Sequence, residues 1–263
     1  MDKIVAYTLF SGSSGNCHYI KTPDAEMLID AGVSARAVDK ALREIGTSLA
    51  NITAIFVTHE HVDHTRGLEV ISKKHHIPTH MTSPSARTLI TDPHASLLND
   101  LYLHPSLFAV RFGETTVRSF VTPHDSAAAV GYTVEYAPAG EKAEKIGVAT
   151  DIGHLDGSIL DALCGADAVV IEANHDVEML LCGPYPYHLK RRILSDTGHL
   201  SNEASAELAK RLAESGTRAF VLAHLSKENN YPPTAEAAVR AALASFDGIT
   251  LAVAAPDTPT RIS

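Results

Sequence analysis

The stretch Ile52-Thr-Ala-Ile-Phe-Val-Thr-His-Glu-His-Val-Asp-His64 joins an apolar run to a cluster of ligand groups. Ile52 to Val57 has the length and β-branched composition of a buried strand. Thr58 to His64 then places three imidazoles and a carboxylate just past its end. His59 and His61 are two apart, so an extended chain points them the same way. Asp63 and His64 open a helix expected from Arg66 to His75 and face elsewhere, giving two pairs of ligands on one turn. Imidazole nitrogens and carboxylate oxygens suit Zn, Mn or Fe, and the lack of Cys here argues against a closed structural zinc site. A chance cluster is the alternative, but this pattern arises in roughly 0.3% of chains with such a composition.

The rest of the 263 residues divides into similar short elements. Ile4 to Phe10 and Cys17 to Lys21 read as strands around Ser11-Gly-Ser-Ser-Gly-Asn16, which alone reads as a hairpin turn. Glu26 to Asp30 is a further strand, and Ser34 caps a helix in which Val38, Leu42 and Ile45 repeat at helical spacing. A helix is expected near Ser85 to Asp92, followed by a loop in which His94 and His104 are solvated. Strands are expected at Phe108–Phe112, Thr115–Val121, Val130–Tyr136, Ile146–Thr150, Ala168–Glu172, Ala219–Ala223 and Ile249–Val253. Helices are expected at Asp156–Cys164, Ser201–Ser215 and Thr234–Phe246. With no repeat, low-complexity tract or linker, residues 1–263 read as one domain.

Hydrophobic content of 45% and charged content of 20% are ordinary for a globular chain, and no apolar run approaches the roughly 18 residues of a membrane span. The N-terminus lacks a secretory pattern, and Cys17, Cys164 and Cys182 are odd in number and scattered. The expectation is a cytoplasmic protein without a disulfide framework or membrane partner. A net charge of -9 argues against a general polyanion-binding surface, although two divalent cations would reverse the field locally.

Thr58 to His64 resembles the signature of the metallo-β-lactamase fold, whose members hold two metals in the cleft of a four-layer αββα sandwich of the α+β class. The resemblance implies that His124 in Thr122-Pro-His-Asp-Ser126 joins His59 and His61 on one ion. It implies that Asp63, His64 and His224 hold the other, and that Asp151 bridges the two. Glu172 and His199 resemble the pair that protonates the leaving group in the tRNA 3′-processing endonucleases of this fold. Such a Glu–His pair suits a general acid near neutral pH.

Longer strings carry a closer resemblance, to the YycJ/WalJ/VicX family. They are Ser11 to Cys17, Thr58 to His64, Glu172 to Asp176, Gly183-Pro-Tyr-Pro186, Leu189 to Ser195, Gly198 to Asn202 and His224 to Asn230. The family implies a bacterial cytoplasmic phosphodiesterase without the β-CASP clamp insertion, acting as a 5′ to 3′ DNA exonuclease. The nucleophile it implies is a hydroxide bridging two divalent ions, Zn or Mn, with Fe also within the ligand chemistry, and Asp63 orients it. Nucleic acid is the expected partner, DNA ahead of RNA. Ser13, Ser14, Asn16, Lys190, Arg191, Arg192, Asn229 and Asn230 are the candidate substrate contacts, with Tyr185 and Tyr187 placed to stack a base. The rival readings are an RNA-processing nuclease, a thioester or lactam hydrolase with the same metals, and a noncatalytic metal-binding scaffold. The sequence leaves open the oligomeric state and the roles of His154 and His175.

Overall fold

The central strands form where the sequence runs apolar on both faces, because the middle of each sheet is covered on both sides. The computed structural model describes residues 3–90 and 100–262. The first sheet takes β1 (Val5–Phe10), β2 (Cys17–Lys21), β3 (Glu26–Ile29), β4 (Ala54–Phe56), β5 (Thr79–Thr82) and β6 (Leu101–His104) in chain order. The second takes β7 (Ala109–Phe112), β8 (Thr115–Val121), β9 (Val130–Tyr136), β10 (Glu144–Ala149), β11 (Ala168–Glu172), β12 (Ala219–Ala223) and β13 (Thr250–Val253). A last strand, β14 (Thr260–Arg261), returns to pair with β1.

Helices cover the outer faces. The first sheet is followed by α1 (Ala35–Glu44), α2 (Val62–Thr65), α3 (Leu68–His75) and α4 (Ser83–Ile90). The second carries α5 (Gly157–Leu163), α6 (Val177–Cys182), α7 (Tyr187–Ile193), α8 (Asn202–Glu214) and α9 (Pro232–Ala242). Between the sheets, Ile20, Met27 and Phe56 pack against Val117, Tyr132, Val148, Val170 and Val221. Neighbouring residues point the other way: Leu28 and Ile55 pack with Val38, Leu42 and Ile71 of the helices, and Val169 and Phe220 with Ile159, Leu208 and Val239. Each such side chain contributes about 1.5–3 kcal/mol relative to exposure. The result is the four-layer αββα sandwich. No helix among the described residues is long and apolar enough to cross a membrane.

Strand direction positions the site. β3 and β4 are parallel, as are β10, β11 and β12, while β8 reaches the same sense as β10 through two antiparallel pairings. Asp30, Thr58, His124, Asp151, Glu172 and His224 therefore lie at or just past strand C-termini at one edge of the sandwich.

Several expectations are corrected. The helix expected at Arg66–His75 starts earlier and is split into α2 and α3 at Gly67, whose amide donates to Ala31 O at 2.8 Å. A Cβ at Gly67 would lie 2.4 Å from Val33 O, so the chain turns there against backbone. The helix near Ser85 is α4, and its expected end at Asp92 lies outside the described residues, as does His94. His104 is not in a solvated loop: it ends β6, bonds His80 Nδ1 at 2.9 Å and stacks on Phe108 at 4.0 Å. The helix α6 was not foreseen, because six residues carry too little periodicity to read.

Candidate metal centre

The side chains at this edge are held by unusual backbone. Asp30, Asp151 and His224 have φ of 64°, 59° and 59°, the left-handed region that costs a non-glycine residue about 1–3 kcal/mol. Each sits where a strand ends and the chain must turn at once. Gly32 is required by the same packing, since a Cβ there would lie 1.6 Å from Asp63 O. Asp63 O in turn accepts from Asn16 N at 2.8 Å, which ties the Ser11–Asn16 loop to α2.

The imidazoles are oriented one by one. His59 Nδ1 is 3.0 Å from Thr58 Oγ1, His64 Nδ1 is 2.7 Å from Asp30 Oδ2, His124 Nδ1 is 3.1 Å from Gly198 O and His224 Nδ1 is 2.8 Å from Glu172 Oε1. With Nδ1 engaged, each ring presents Nε2 to the cleft, which is how a protein fixes the tautomer of a metal-ligating His. His59 Nε2 then lies 2.9 Å from His61 Nδ1. His64 Nε2 is 3.5 Å from Asp63 Oδ2 and 3.4 Å from Asp151 Oδ2, and His224 Nε2 is 3.6 Å from Asp63 Oδ2. Ligand atoms of His59, His61 and His124 fall within 4.8 Å of one another, as do those of Asp63, His64 and His224.

This donor set fits divalent cations. Asp151 Oδ2 and His224 Nε2 are buried without a hydrogen-bond partner, each costing about 1–3 kcal/mol unless a cation is engaged. The field has the sign that a cation requires. Burial works against charge on His64, but the carboxylates of Asp30 and Asp151 overcome it and raise its pKa to about 10. Burial likewise works against ionising Asp63, but hydrogen bonds with His224 and His64 overcome it and hold the carboxyl well below its usual range.

Glu172 is a hub. Its Oε1 accepts from both His199 Nδ1 and His224 Nδ1 at 2.8 Å, and its Oε2 accepts from Ile152 N at 2.9 Å and Leu200 N at 3.1 Å. It is fully buried, so it positions other groups and does not touch substrate. His199 is part-exposed and lines the cleft with Ser13, His61, Asp63, Tyr185, Arg192 and others around about 260 Å³.

The remaining candidates divide. Ser13 and Ser14 are exposed, and Ser13 lines the cleft. Asn16 is buried beneath it, 3.1 Å from His64 Nε2. Each member of the basic triplet has a local partner: Lys190 Nζ donates to Leu181 O at 2.7 Å, the exposed Arg191 lies over the Tyr187 ring, and Arg192 pairs with Asp125. Only Arg192 of the three borders the cleft. Asn229 and Asn230 are corrected as rim contacts. Both are buried, with Asn229 N and Nδ2 donating to Ser226 Oγ and Asn230 Nδ2 donating to Ala173 O at 2.8 Å and to Asn202 Oδ1 at 2.9 Å. His154 is exposed and bonds Asp196 O, while His175 is buried outside the ligand groups. Sequence reasoning missed Asp30 and Asp125. The first was visible only as the acidic end of a strand, and the second as the neighbour of His124.

Comparison with known proteins shows the family and the fold. Residues 26–225 match the family described as Beta-lactamase superfamily domain. The chain is 34% identical over 236 residues to exodeoxyribonuclease YycJ of Bacillus anthracis, covering 88% of this chain and 86% of that protein. It is 34% identical over 264 residues to exodeoxyribonuclease WalJ of Streptococcus pneumoniae, covering 97% and 96%. Among solved structures, the metallo-beta-lactamase fold protein YhfI from Bacillus subtilis superposes with a TM-score of 0.71 at 14% identity, covering 99% and 100%. The short form of human tRNase Z gives 0.64 at 18% identity, covering 98% of each chain. At such identities the superpositions show the shared fold.

Proposed function

Because the chain belongs to the YycJ/WalJ family of the β-lactamase superfamily and is a metal-dependent hydrolase, we propose that it is a dinuclear 5′ to 3′ DNA exonuclease of the cytoplasm. In this reading residues 1–263 act as one hydrolase domain without an inserted clamp. The observation that carries the two-ion assignment is the position of Asp151 between the ligand groups. Its Oδ1 lies 3.8 Å from His124 Nε2 and its Oδ2 lies 3.4 Å from His64 Nε2. His59, His61 and His124 would hold one ion, and Asp63, His64 and His224 the other, with Asp151 facing both. Zn or Mn suits these nitrogen and oxygen donors. Bound there, the ions supply Lewis-acid polarisation of a phosphoryl oxygen and bring the pKa of a water to roughly 7.

The protein's own groups do the rest. Asp63, part-exposed in the cleft, accepts a hydrogen bond from the attacking water and so aims it. His199 gives its Nδ1 hydrogen to Glu172, so the proton for the departing oxygen comes from Nε2. Ser13 and Arg192 lie where the scissile phosphate's neighbours would pass.

The test is to incubate purified protein, reconstituted with Mn or Zn, with DNA and RNA labelled at either end. We expect about two ions per chain and stepwise shortening of DNA from its 5′ end. At most one ion after reconstitution would remove the dinuclear assignment. Preferential shortening of RNA, or shortening from the 3′ end, would replace the substrate or polarity.

A further inference from the structure

We propose that the groove between α1 and α3 carries the sugar–phosphate backbone of the DNA strand beyond the cleaved bond; the inference rests on the nuclease reading above. The groove is lined by Ser34, Arg36, Asp39, Arg66, Val70, Lys74 and His75, among others, around about 400 Å³. It lies on the first sheet's helical layer, outside the cleft already described. The chain carries a formal charge of -9, so a cationic groove stands out against its surface.

Charge pairing on these two helices explains why. Each acid along them is already used by a cation of its own helix: Asp39 by Arg43 at 2.8 Å, Glu44 by Lys40 at 3.7 Å and Glu69 by Lys73 at 2.8 Å. Asp39 also accepts from Leu49 N at 3.1 Å. That leaves Arg36, Arg66 and Lys74, all exposed, with no carboxylate partner among the described residues. Three unneutralised cations facing one groove suit a ligand with regularly spaced negative charge, which is what a phosphate backbone presents.

The groove is also joined to the cleft. Arg66 Nη1 donates to Ser14 O at 3.0 Å, and Ser13, one residue earlier, lines the cleft beside Asp63 and His124. A strand leaving the cleft across the Ser13–Ser14 turn therefore meets Arg66 first, then Arg36 and Lys74. On the other side of the cleft, only Arg192 of the basic triplet borders the cavity, and it is already paired with Asp125.

The test is fluorescence anisotropy of single-stranded DNA with cleavage-resistant phosphorothioate linkages, binding to metal-loaded wild type, to the double variant R36E/K74E and to the milder R36Q/K74Q. Oligonucleotides of 4 and 20 nucleotides are compared as probes, and thermal melts establish that each variant folds. We expect R36E/K74E to bind the 20-mer at least about tenfold more weakly than wild type. Binding of the 4-mer should change little, because a fragment of that length is held by the cleft alone. The salt slope for the 20-mer should flatten by roughly 1.4 in R36Q/K74Q, the release of counterions from two phosphates of a single strand. A charge change on α8, Lys210→Glu, should leave the 20-mer's affinity as in wild type.

Equal affinity and slope in folded groove variants, with wild type binding the 20-mer, would overturn the groove and leave the nuclease reading intact. Loss of a polyglutamate peptide but not of DNA would make the partner an acidic protein and overturn it too. Wild type that neither binds nor shortens DNA would take down both.

Discussion

His64 Nδ1 lies 2.7 Å from Asp30 Oδ2, and both side chains are shut off from water. Asp30 also accepts from Thr58 N at 2.8 Å and from Thr58 Oγ1 at 2.9 Å, so one carboxylate aims His64 and, through Thr58, His59. Asp30→Asn keeps the shape of the group but weakens its hold on the imidazole. Metal affinity should fall about 10- to 100-fold, the usual effect of losing a carboxylate behind a ligating His. Competition of the loaded protein with a chromogenic chelator measures it, and an unchanged affinity would leave Asp30 with a purely structural part.

The shared carboxylate separates His199 from Glu172. His199→Ala should keep its metal and slow DNA cleavage by roughly 100-fold or more, the scale of a lost general acid. A nitrophenyl phosphodiester, whose leaving group needs little protonation, should be affected much less. Glu172→Ala releases His224 as well as His199, so it should also bind metal more weakly. Equal losses for His199→Ala on both substrates would assign His199 to phosphate positioning.

Arg192 is clasped by Asp125 across the mouth of the cleft, with Nη2 3.1 Å from Oδ1 and Nε on Oδ2. An incoming phosphate must compete with that carboxylate. Arg192→Gln should weaken binding of long DNA and lower its salt slope by roughly 0.7, one single-strand phosphate contact. Asp125→Asn should strengthen binding by freeing the guanidinium. Anisotropy at several salt concentrations reads both changes, and an Asp125→Asn protein that binds more weakly would show that the clasp serves to hold α7 in place.

His80 gives a pH test away from the metal centre. Burial and the neighbouring His104 push its pKa down to about 4. The folded protein thus binds this proton less readily than the unfolded chain, whose imidazole titrates near 6.5. The stability from a neutral His80 is fully present above about pH 6.5 and is lost as pH falls toward 4. His80→Phe, which preserves stacking on Phe56, should therefore lose less Tm between pH 7 and pH 5 than wild type does. An equal loss in both proteins would place the acid sensitivity elsewhere.

Much of this protein was legible because its chemistry is local. His59, His61, Asp63 and His64 fall within six residues, and His124, Asp151, Glu172 and His224 each follow a short apolar run, so residue type and strand ends could be read together. The central strands were readable because they are buried on both faces, as Met27 to Ile29, Ala54 to Phe56, Val169 to Ile171 and Phe220 to Ala223 show.

What the tertiary structure alone decided is which distant group each of these residues meets. Asp30 is 34 residues from His64, Arg192 is 67 from Asp125 and Gly198 O is 74 from His124. Such partners leave no periodic trace in the sequence, because they are set by where strand ends and loops from different elements converge. The same holds for Asn229 and Asn230, whose polar side chains suggested a rim until the fold enclosed them with Ser226, Asn202 and Ala173 O. The candidate ligand types and their order along the strand ends were legible in the sequence, since these depend on residue chemistry and local period. Only folding decided the partners of their ring nitrogens, their shared carboxylates and which cations remain unpaired, since these depend on distances in space.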